Sequence, residues 1–429
     1  MKIQNLELAM GIDISIIVPI VLIVYMAAML LIGLWSAKKV KNSEDWFVGG
    51  RSMGPWITAL AHGSSSLGGG MYIAGPQFGW EAGASALWAA PGDVFGPLLN
   101  FGILARRMRR YTEKAKTLTI SEFFGHRYYS KGVRNFSVFI LIIAMLISLV
   151  VEYMAMGVLV SAVTGWSFIV SLIVGCAVIL IYTGAVFGFL LAFGVYTLGC
   201  VGRVVYPDIS MLPGGNAEYV LPMLALTKLP SFFAGLLLAG ACSAVMSTAS
   251  GLLLVIGSVM GNDLYRNSSA GKSASDVQVM KVTKMSTYVL GILSIAMCFI
   301  PIFQLGVYQL TWIAWSVLSP AFIPCIVGGL YWKRGTKEGA YAAMISGSLV
   351  GAFWYYLLQE ATNIHTFFAA LVIAIAAYIV VSLRTQKPPK EIEDYISYAA
   401  AYEDADQKNP VKSGIVMSCE QLAMVLSGM

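Results

Sequence analysis

The sequence predicts an all-α membrane protein that crosses the bilayer many times. Of its 429 residues, 58% are hydrophobic and only 12% are charged, and the mean hydropathy is +0.75. Soluble domains carry about a quarter charged residues and cannot hide this much apolar surface. The charges also fall in loops between apolar blocks, so the net charge of +6 indicates membrane orientation rather than affinity for nucleic acid. These observations exclude a soluble enzyme and a nucleic-acid-binding protein.

Eleven apolar segments approach the roughly 20 residues that a helix needs to cross a bilayer. We expect a transmembrane domain over residues 1–385. Beyond it, a proline pair and mixed charge indicate a partly disordered cytoplasmic tail over 386–429. The predicted segments are 13–35, 56–78, 84–105, 135–163, 166–184, 186–206, 231–260, 286–303, 305–332, 339–358 and 365–383.

The distribution of Lys and Arg predicts the orientation of these segments. With the basic loops after the first and third segments in the cytoplasm and strict alternation thereafter, the positive charges fall on one side of the membrane, all but Lys2, Arg203 and Lys228. Positive charge near helix ends marks the cytoplasmic side. We therefore predict a multi-pass protein of the plasma or inner membrane, with its N-terminus outside and its C-terminus in the cytoplasm.

One stretch does not fit this regular pattern. Residues 167–202 contain no charge, which is too long for one span and lacks a polar loop between two. The only candidate break is 182–184 (YTG), where glycine tolerates turn geometry. Either two helices meet in a very tight turn, or a segment is missing here.

The second apolar segment contains three serines and four glycines within residues 61–70. Such a composition weakens a helix, and exposed carbonyls at membrane depth are tolerated only where protein or water satisfies them. Broken helices of this kind present carbonyls to cations in secondary transporters. A packed crossing of small residues is the alternative, and we favour the broken helix.

A second group of oxygen atoms lies in the 231–260 segment. The spacing of Ala244, Ser247 and Thr248 allows a carbonyl and two hydroxyls to share one helix face. Neutral oxygens suit a reversibly held monovalent cation. From the spacing alone, hydroxyls bonded to their own helix are an equally good interpretation.

Two acids lie within predicted spans, where a charge costs about 2.5–3.5 kcal/mol on insertion scales. Glu152 is either a proton carrier or counter-ion for a substrate, or a hydrogen-bonded structural acid. For Asp93, which follows Pro91 and Gly92, we favour the structural role. Trp315 is a further candidate for a substrate cavity, although aromatics in spans are more often interfacial anchors.

Residues 45–60 (DWFVGGRSMGPWITAL) resemble the entry to the second helix of the sodium/solute symporter family, which includes proline and pantothenate permeases. Residues 244–248 (AVMST) with 262–265 (NDLY) look like that family's ninth helix and its exit. Residues 330–334 (LYWKR) are similar to its late loop. The motifs occur in order and at the family's separation.

The resemblance implies a LeuT-type inverted-repeat transporter with about 11 transmembrane helices, and Na⁺ as coupling ion without an organic cofactor. It implies that Na⁺ is held between the second and ninth helices. Carried over by position, the ligands would be the carbonyls of Ser64, Leu67 and Ala244 with the hydroxyls of Ser247 and Thr248. The same oxygens of the ninth helix were selected above from local chemistry.

Two features depart from the family pattern. Ser66 stands where proline permeases carry an aspartate. The chain also runs from 181–184 almost directly into a segment that resembles the eighth helix, which implies that two central helices are absent near 184–186. Their absence would make the fold incomplete and remove one wall of the substrate cavity.

The sequence therefore predicts a secondary transporter that carries a small polar organic solute of the amino acid, pantothenate or carboxylate class together with Na⁺. The solute is expected beside Ser65, Ser66 and Gly68, with Glu152 and Trp315 as further cavity candidates. A non-transporting variant that binds Na⁺ or partners is one alternative. Proton coupling through Glu152 is the other. No covalent chemistry is expected, and the oligomeric state stays open.

Overall fold

The computed structural model describes residues 16–37, 68–89, 100–117, 119–181, 192–268 and 271–408. Within these ranges the regular elements are helices. The chain forms two compact units, one from residues 1–93 and 141–314 and the other from 94–140 and 315–429. An all-α membrane fold is therefore confirmed.

Among the described residues, the first half of the chain contributes eight α-helices and two shorter helical segments. A 3-10 helix covers Gly83–Trp88, and a π-helix covers Asn100–Ala105. The α-helices are α1 (Ile17–Ala37), α2 (Gly69–Tyr72), α3 (Ala74–Ala82), α4 (Arg106–Ala115), α5 (Ile120–Arg127), α6 (Lys131–Thr164), α7 (Phe168–Ile181) and α8 (Ala192–Val205).

The described part of the second half contributes eight more α-helices, and short 3-10 turns lie between α8 and α9. A π-helical turn, Val259–Tyr265, extends α10. The α-helices are α9 (Val220–Lys228), α10 (Ser231–Ser258), α11 (Asp276–Met297), α12 (Val307–Tyr331), α13 (Lys337–Leu357), α14 (Gln359–Thr362), α15 (Thr366–Arg384) and α16 (Lys390–Lys408).

Among the described residues, five helices are long and apolar enough to cross a membrane: α6, α10 with its extension, α11, α12 and α15. Most predicted segments match a helix closely, but three differ. The ends of segment 84–105 that the structure describes are 3-10 and π-helical. α11 starts ten residues early, because Ser275 and Gln278 form a capping box, and it ends before Pro301. α3 extends to Ala82, where Gly83 adopts a positive φ of 63°.

In the first unit, α10 packs against α1, α2 and α11, and α8 packs against α3. The α8–α3 contact depends on Gly199, because a Cβ at this position would lie 2.7 Å from the Cα of Gly79. Arg203 of α8 donates to the carbonyls of Trp80 (3.0 Å) and Glu81 (2.7 Å) at the end of α3. These contacts hold α3, which follows Gly68 and α2 in the chain, against α8.

In the second unit, α13 packs along α15 and α16 packs against α4. The α16 helix lies in the tail that was predicted to be partly disordered. It forms because Ile392, Ile396 and Ala399, spaced by one helical turn, are buried. The Nζ atom of Lys114 lies over the rings of Tyr395 and Tyr398 of the same helix, 4.7 and 4.3 Å from their centroids.

Candidate cation site at the start of a helix

A helix begins inside the first unit, at a buried pair of glycines. Gly68 has an extended backbone (φ −95°, ψ −153°) and α2 starts at Gly69. Both residues are buried. This point lies in the glycine-rich stretch where the sequence predicts a break. The residues that precede Gly68, which include the predicted ligands Ser64 and Leu67 and the cavity candidates Ser65 and Ser66, lie outside the described residues.

The carboxylate of Glu152 on α6 caps the start of this helix. Its Oε2 atom accepts a hydrogen bond of 2.7 Å from the backbone N–H of Gly69. Glu152 is 4% exposed. The first N–H groups of a helix have no partner within the helix and favour negative charge, so Glu152 satisfies a buried donor and places a carboxylate at the helix start.

One hydroxyl of the predicted pair on α10, that of Thr248, approaches the same glycines. A Cβ built on Gly68 would lie 2.6 Å from Oγ1 of Thr248 and 2.7 Å from Oε2 of Glu152. The backbone of Gly68 therefore lies between a hydroxyl and a carboxylate that only a residue without a side chain can approach. Ser247 and Ala244 are each 6% exposed. The structure thus brings Gly68, Glu152 and Thr248 together.

Sequence reasoning missed two residues of this region: Thr311, which lies beside the helix start, and Phe78, which lies further along the chain. A Cβ on Gly70 would lie 3.1 Å from Oγ1 of Thr311 on α12. Further along, Phe78 of α3 stacks on Tyr308 of α12 with ring centroids 4.9 Å apart. Thr311 belongs to the stripe of α12 that also contains Tyr308 and Trp315, and this helical spacing was the available signal. The side chain of Trp315 is 47% exposed, and its place in a cavity stays a prediction.

A second buried carboxylate lies outside the predicted spans, in the short helix Ala217–Tyr219. Glu218 accepts from the backbone N–H of Val307 (2.5 Å) and from the side-chain amide of Asn216 (3.2 Å). It is 4% exposed. Burial raises the pKa of Glu218 above its ordinary value of 4.5, and the negative charge of Glu81 adds to this effect. The two N–H donors oppose the rise.

Comparison with known proteins identifies the kind of molecule that contains these elements. The model of the sodium:solute symporter family matches residues 46–197 and 189–347. The chain belongs to the sodium:solute symporter family. It is therefore a multi-pass membrane transporter that moves a small solute together with Na⁺, and it is not an enzyme.

Two relatives among those found are proline transporters. The chain is 27% identical to the osmoregulated proline transporter OpuE of Bacillus subtilis (strain 168) over 477 residues, which covers 88% of the chain and 96% of the relative. It is 25% identical to the sodium/proline symporter of Escherichia coli (strain K12) over 435 residues, with 77% and 86% covered.

A solved structure shares the fold. A Na⁺-coupled sialic acid symporter in a substrate-bound outward-open state superposes with a TM-score of 0.64. The match covers 87% of this chain and 99% of the symporter at 16% identity. This likeness confirms the transporter fold that the sequence resemblance implies.

Proposed function

We propose that the chain carries proline, or a closely similar small amino acid, into the cell together with Na⁺. The relatives named above support this choice within the predicted solute classes. The proposed binding of Na⁺ rests on one observation: the helix start at Gly68 lies beside both the Thr248 hydroxyl and the Glu152 carboxylate. Hard cations are bound by such oxygen atoms.

The residues present fit a Na⁺ site. We assign the ligand role to the carbonyl of Ala244 and the hydroxyls of Ser247 and Thr248, with the predicted carbonyls of Ser64 and Leu67 from the other helix. Glu152 meets Thr248 at Gly68, and we propose that it supplies the negative charge that Ser66 lacks relative to proline permeases. Bound Na⁺ would supply the positive charge that joins the two helices, and the Na⁺ gradient across the membrane would drive transport.

We propose that alternating access depends on the start of α2, in the first unit. The Gly68–Gly70 segment contacts α6 through Glu152, α10 through Thr248 and α12 through Thr311. A ligand that draws these contacts together stabilises one conformation over another by its difference in affinity for the two. Solute bound beside the same segment would then be released on the other side when the contacts separate.

The proposed absence of two central helices bears on this mechanism. Only residues 182–191 separate α7 from α8, and the alignment with the Bacillus subtilis transporter spans 477 residues although the chain has 429. Both facts support the proposal that relatives carry a segment without a counterpart here. A non-transporting variant that retains the cation site is therefore the second candidate.

The test measures Na⁺ binding and solute uptake separately. Binding of radioactive Na⁺ to the purified protein is compared between wild type and Ser247→Ala/Thr248→Ala. The matched control is Ser258→Ala on the same helix, because the Ser258 hydroxyl donates to its own helix, to the carbonyl of Leu254 at 2.7 Å. We expect saturable binding that the double variant loses and the control retains.

Uptake of labelled proline into proteoliposomes then separates the candidates. Uptake driven by an inward Na⁺ gradient supports the symporter, whereas Na⁺ binding without uptake of proline or related solutes supports the non-transporting variant. Uptake driven equally well by a proton gradient without Na⁺ would favour proton coupling. Absence of Na⁺ binding in the wild type would overturn the site.

A further inference from the structure

A basic cavity lies in the second unit, away from the residues assigned to the cation. It is formed where α4 ends, α5 begins and the first turns of α6 follow. Its volume is about 260 Å³. Its lining contains three cationic side chains, one carboxylate and one imidazole: Lys116, Thr117, Glu122, Gly125, His126, Lys131 and Arg134.

The backbone is shaped to bring these side chains together. Lys116 ends α4 in the left-handed conformation (φ 54°) and its N–H donates to the carbonyl of Thr112. Thr119 then caps α5 by accepting from the N–H of Glu122 at 3.1 Å. The end of α4 and the start of α5 thus bring Lys116, Thr117 and Glu122 into the lining together with residues of α6.

Two polar atoms in the lining are buried without a hydrogen-bond partner among the described residues: Oγ1 of Thr117 and Nε of Arg134. Buried polar groups nearly always have a partner, and leaving a charged donor unsatisfied is costly. Gly125 allows Arg134 to pack closely against α5, because a Cβ on Gly125 would lie 3.0 Å from the Cβ of Arg134. The lining thus contains a guanidinium nitrogen and a hydroxyl without an acceptor among the described residues, and both would gain one if their side chains turned toward a bound anion.

The charge of the lining is positive. Lys116, Lys131 and Arg134 outnumber the single acid, Glu122. The Nδ1 atom of His126 is paired with the hydroxyl of Tyr111 at 2.9 Å. Burial lowers the pKa of His126, with a smaller opposing effect from Glu391, so the imidazole is mainly neutral near pH 7. An anionic acceptor is therefore favoured, and Arg and Lys both suit phosphate oxygens.

The length of α6 indicates where the cavity lies relative to the bilayer, and therefore which anions can reach it. α6 has 34 residues, which corresponds to about 51 Å, whereas the hydrocarbon core is about 30 Å thick. Its first turns, with Lys131 and Arg134, therefore extend into the headgroup layer. The distribution of positive charge predicts that this is the cytoplasmic side.

We propose that this cavity binds a phosphate group, either the headgroup phosphate of an anionic phospholipid or free phosphate from the cytoplasm. Basic pockets at the cytoplasmic ends of membrane helices bind anionic headgroups in this way. The site is separate from solute transport. It would couple the start of α6, the helix that carries Glu152, to the anionic composition of its surroundings.

The test uses the full-length purified protein and has two arms. In lipid-free detergent, inorganic phosphate is titrated and the midpoint of thermal unfolding is recorded. In nanodiscs of phosphatidylcholine with or without phosphatidylglycerol, lipid retained on the released protein is counted by native mass spectrometry. The variant is Lys116→Gln/Arg134→Gln. The control, Arg109→Gln/Lys272→Gln, removes the same charge at exposed residues that do not line the cavity.

We expect the double variant to weaken apparent affinity by about tenfold or more, while the control matches wild type. A response to inorganic phosphate identifies a free phosphate site, and selective retention of phosphatidylglycerol identifies a lipid site. Equal responses of wild type, variant and control, or no response in either arm, would overturn the proposal. If the double variant does not fold, Thr117→Val removes one donor without changing charge and should still weaken binding.

Discussion

Two buried carboxylates of this transporter each accept the backbone N–H of the first residue of a helix. Glu152 accepts from Gly69 at the start of α2, and Glu218 accepts from Val307 at the start of α12. Both are 4% exposed. Glu218 has a second donor from its own loop, Asn216. Both contacts are long-range, over 83 and 89 residues, but Glu152 lies within the long helix α6, whereas Glu218 lies in a short 3-10 helix.

The glycine that precedes each donor shows what the difference means. A Cβ on Gly306 would meet Oε1 of Gln309, the far end of a flexible side chain, and Oε1 of Glu218 at 3.1 Å. A Cβ on Gly68 would meet the Thr248 hydroxyl and the Glu152 carboxylate. One carboxylate thus meets a helix start beside a flexible side chain of the same helix, whereas the other meets a helix start beside a hydroxyl of a second helix. We propose that the same local geometry stabilises structure in one place and contributes to a cation site in the other.

Gly68→Ala should give the largest difference in Na⁺ affinity between the two regions. The added methyl group would displace Thr248 or Glu152, and overpacking of this kind costs about 1–3 kcal/mol. We expect Na⁺ affinity to fall by up to about a hundredfold, measured by binding of radioactive Na⁺. Gly306→Ala is the matched control and should stay within about twofold of wild type, because Gln309 can move away. Equal losses in both variants would contradict the distinction.

Glu152→Gln should produce the next largest effect. The amide keeps an acceptor oxygen for Gly69 but removes the negative charge that we propose attracts the cation, a loss of about 1.4 kcal/mol in binding. We expect Na⁺ affinity to fall about tenfold. The same exchange at the other carboxylate, Glu218→Gln, should leave Na⁺ affinity unchanged. Glu152 would be purely structural if its variant bound Na⁺ normally but unfolded earlier.

Glu218→Ala should lower stability without lowering Na⁺ affinity. The substitution leaves the buried N–H of Val307 without an acceptor, which costs about 1–3 kcal/mol. Thermal unfolding of the purified protein, followed by intrinsic fluorescence, should show the loss, and Glu218→Gln should recover part of it. A normal unfolding midpoint for Glu218→Ala would indicate that water replaces the carboxylate.

Sequence reasoning identified both regions of the Glu152 contact but not their pairing, and it identified neither partner of the Glu218 contact. Glu152 was selected because an acid within a span is costly, and the Gly68 region because its composition opposes a helix. Nothing in either pattern indicates that Glu152 caps Gly69, since that contact depends on how α6 packs. Glu218 gave no signal, because an acid between predicted spans is expected to be solvated. The α16 helix was missed because its three buried apolar residues are outnumbered by charges.

The pH dependence of stability should give the smallest effect and the finest comparison. Because burial raises the pKa of Glu218 above 4.5, the folded protein binds this proton more tightly than the unfolded chain does. The stabilisation is therefore complete below about pH 4.5 and decreases as the pH rises through the raised value, by at most about 1.4 kcal/mol per pH unit.

The unfolding midpoints of wild type and Glu218→Gln, measured between pH 4.5 and 8, test this directly. The variant stays neutral, so the advantage of wild type over it should shrink as the pH rises, while all other titrating groups cancel in the difference. Glu81→Gln removes a negative charge that adds to the rise and should move the change to lower pH. A constant difference across the range would show that Glu218 is ionised throughout, with its two N–H donors sufficient to hold the charge.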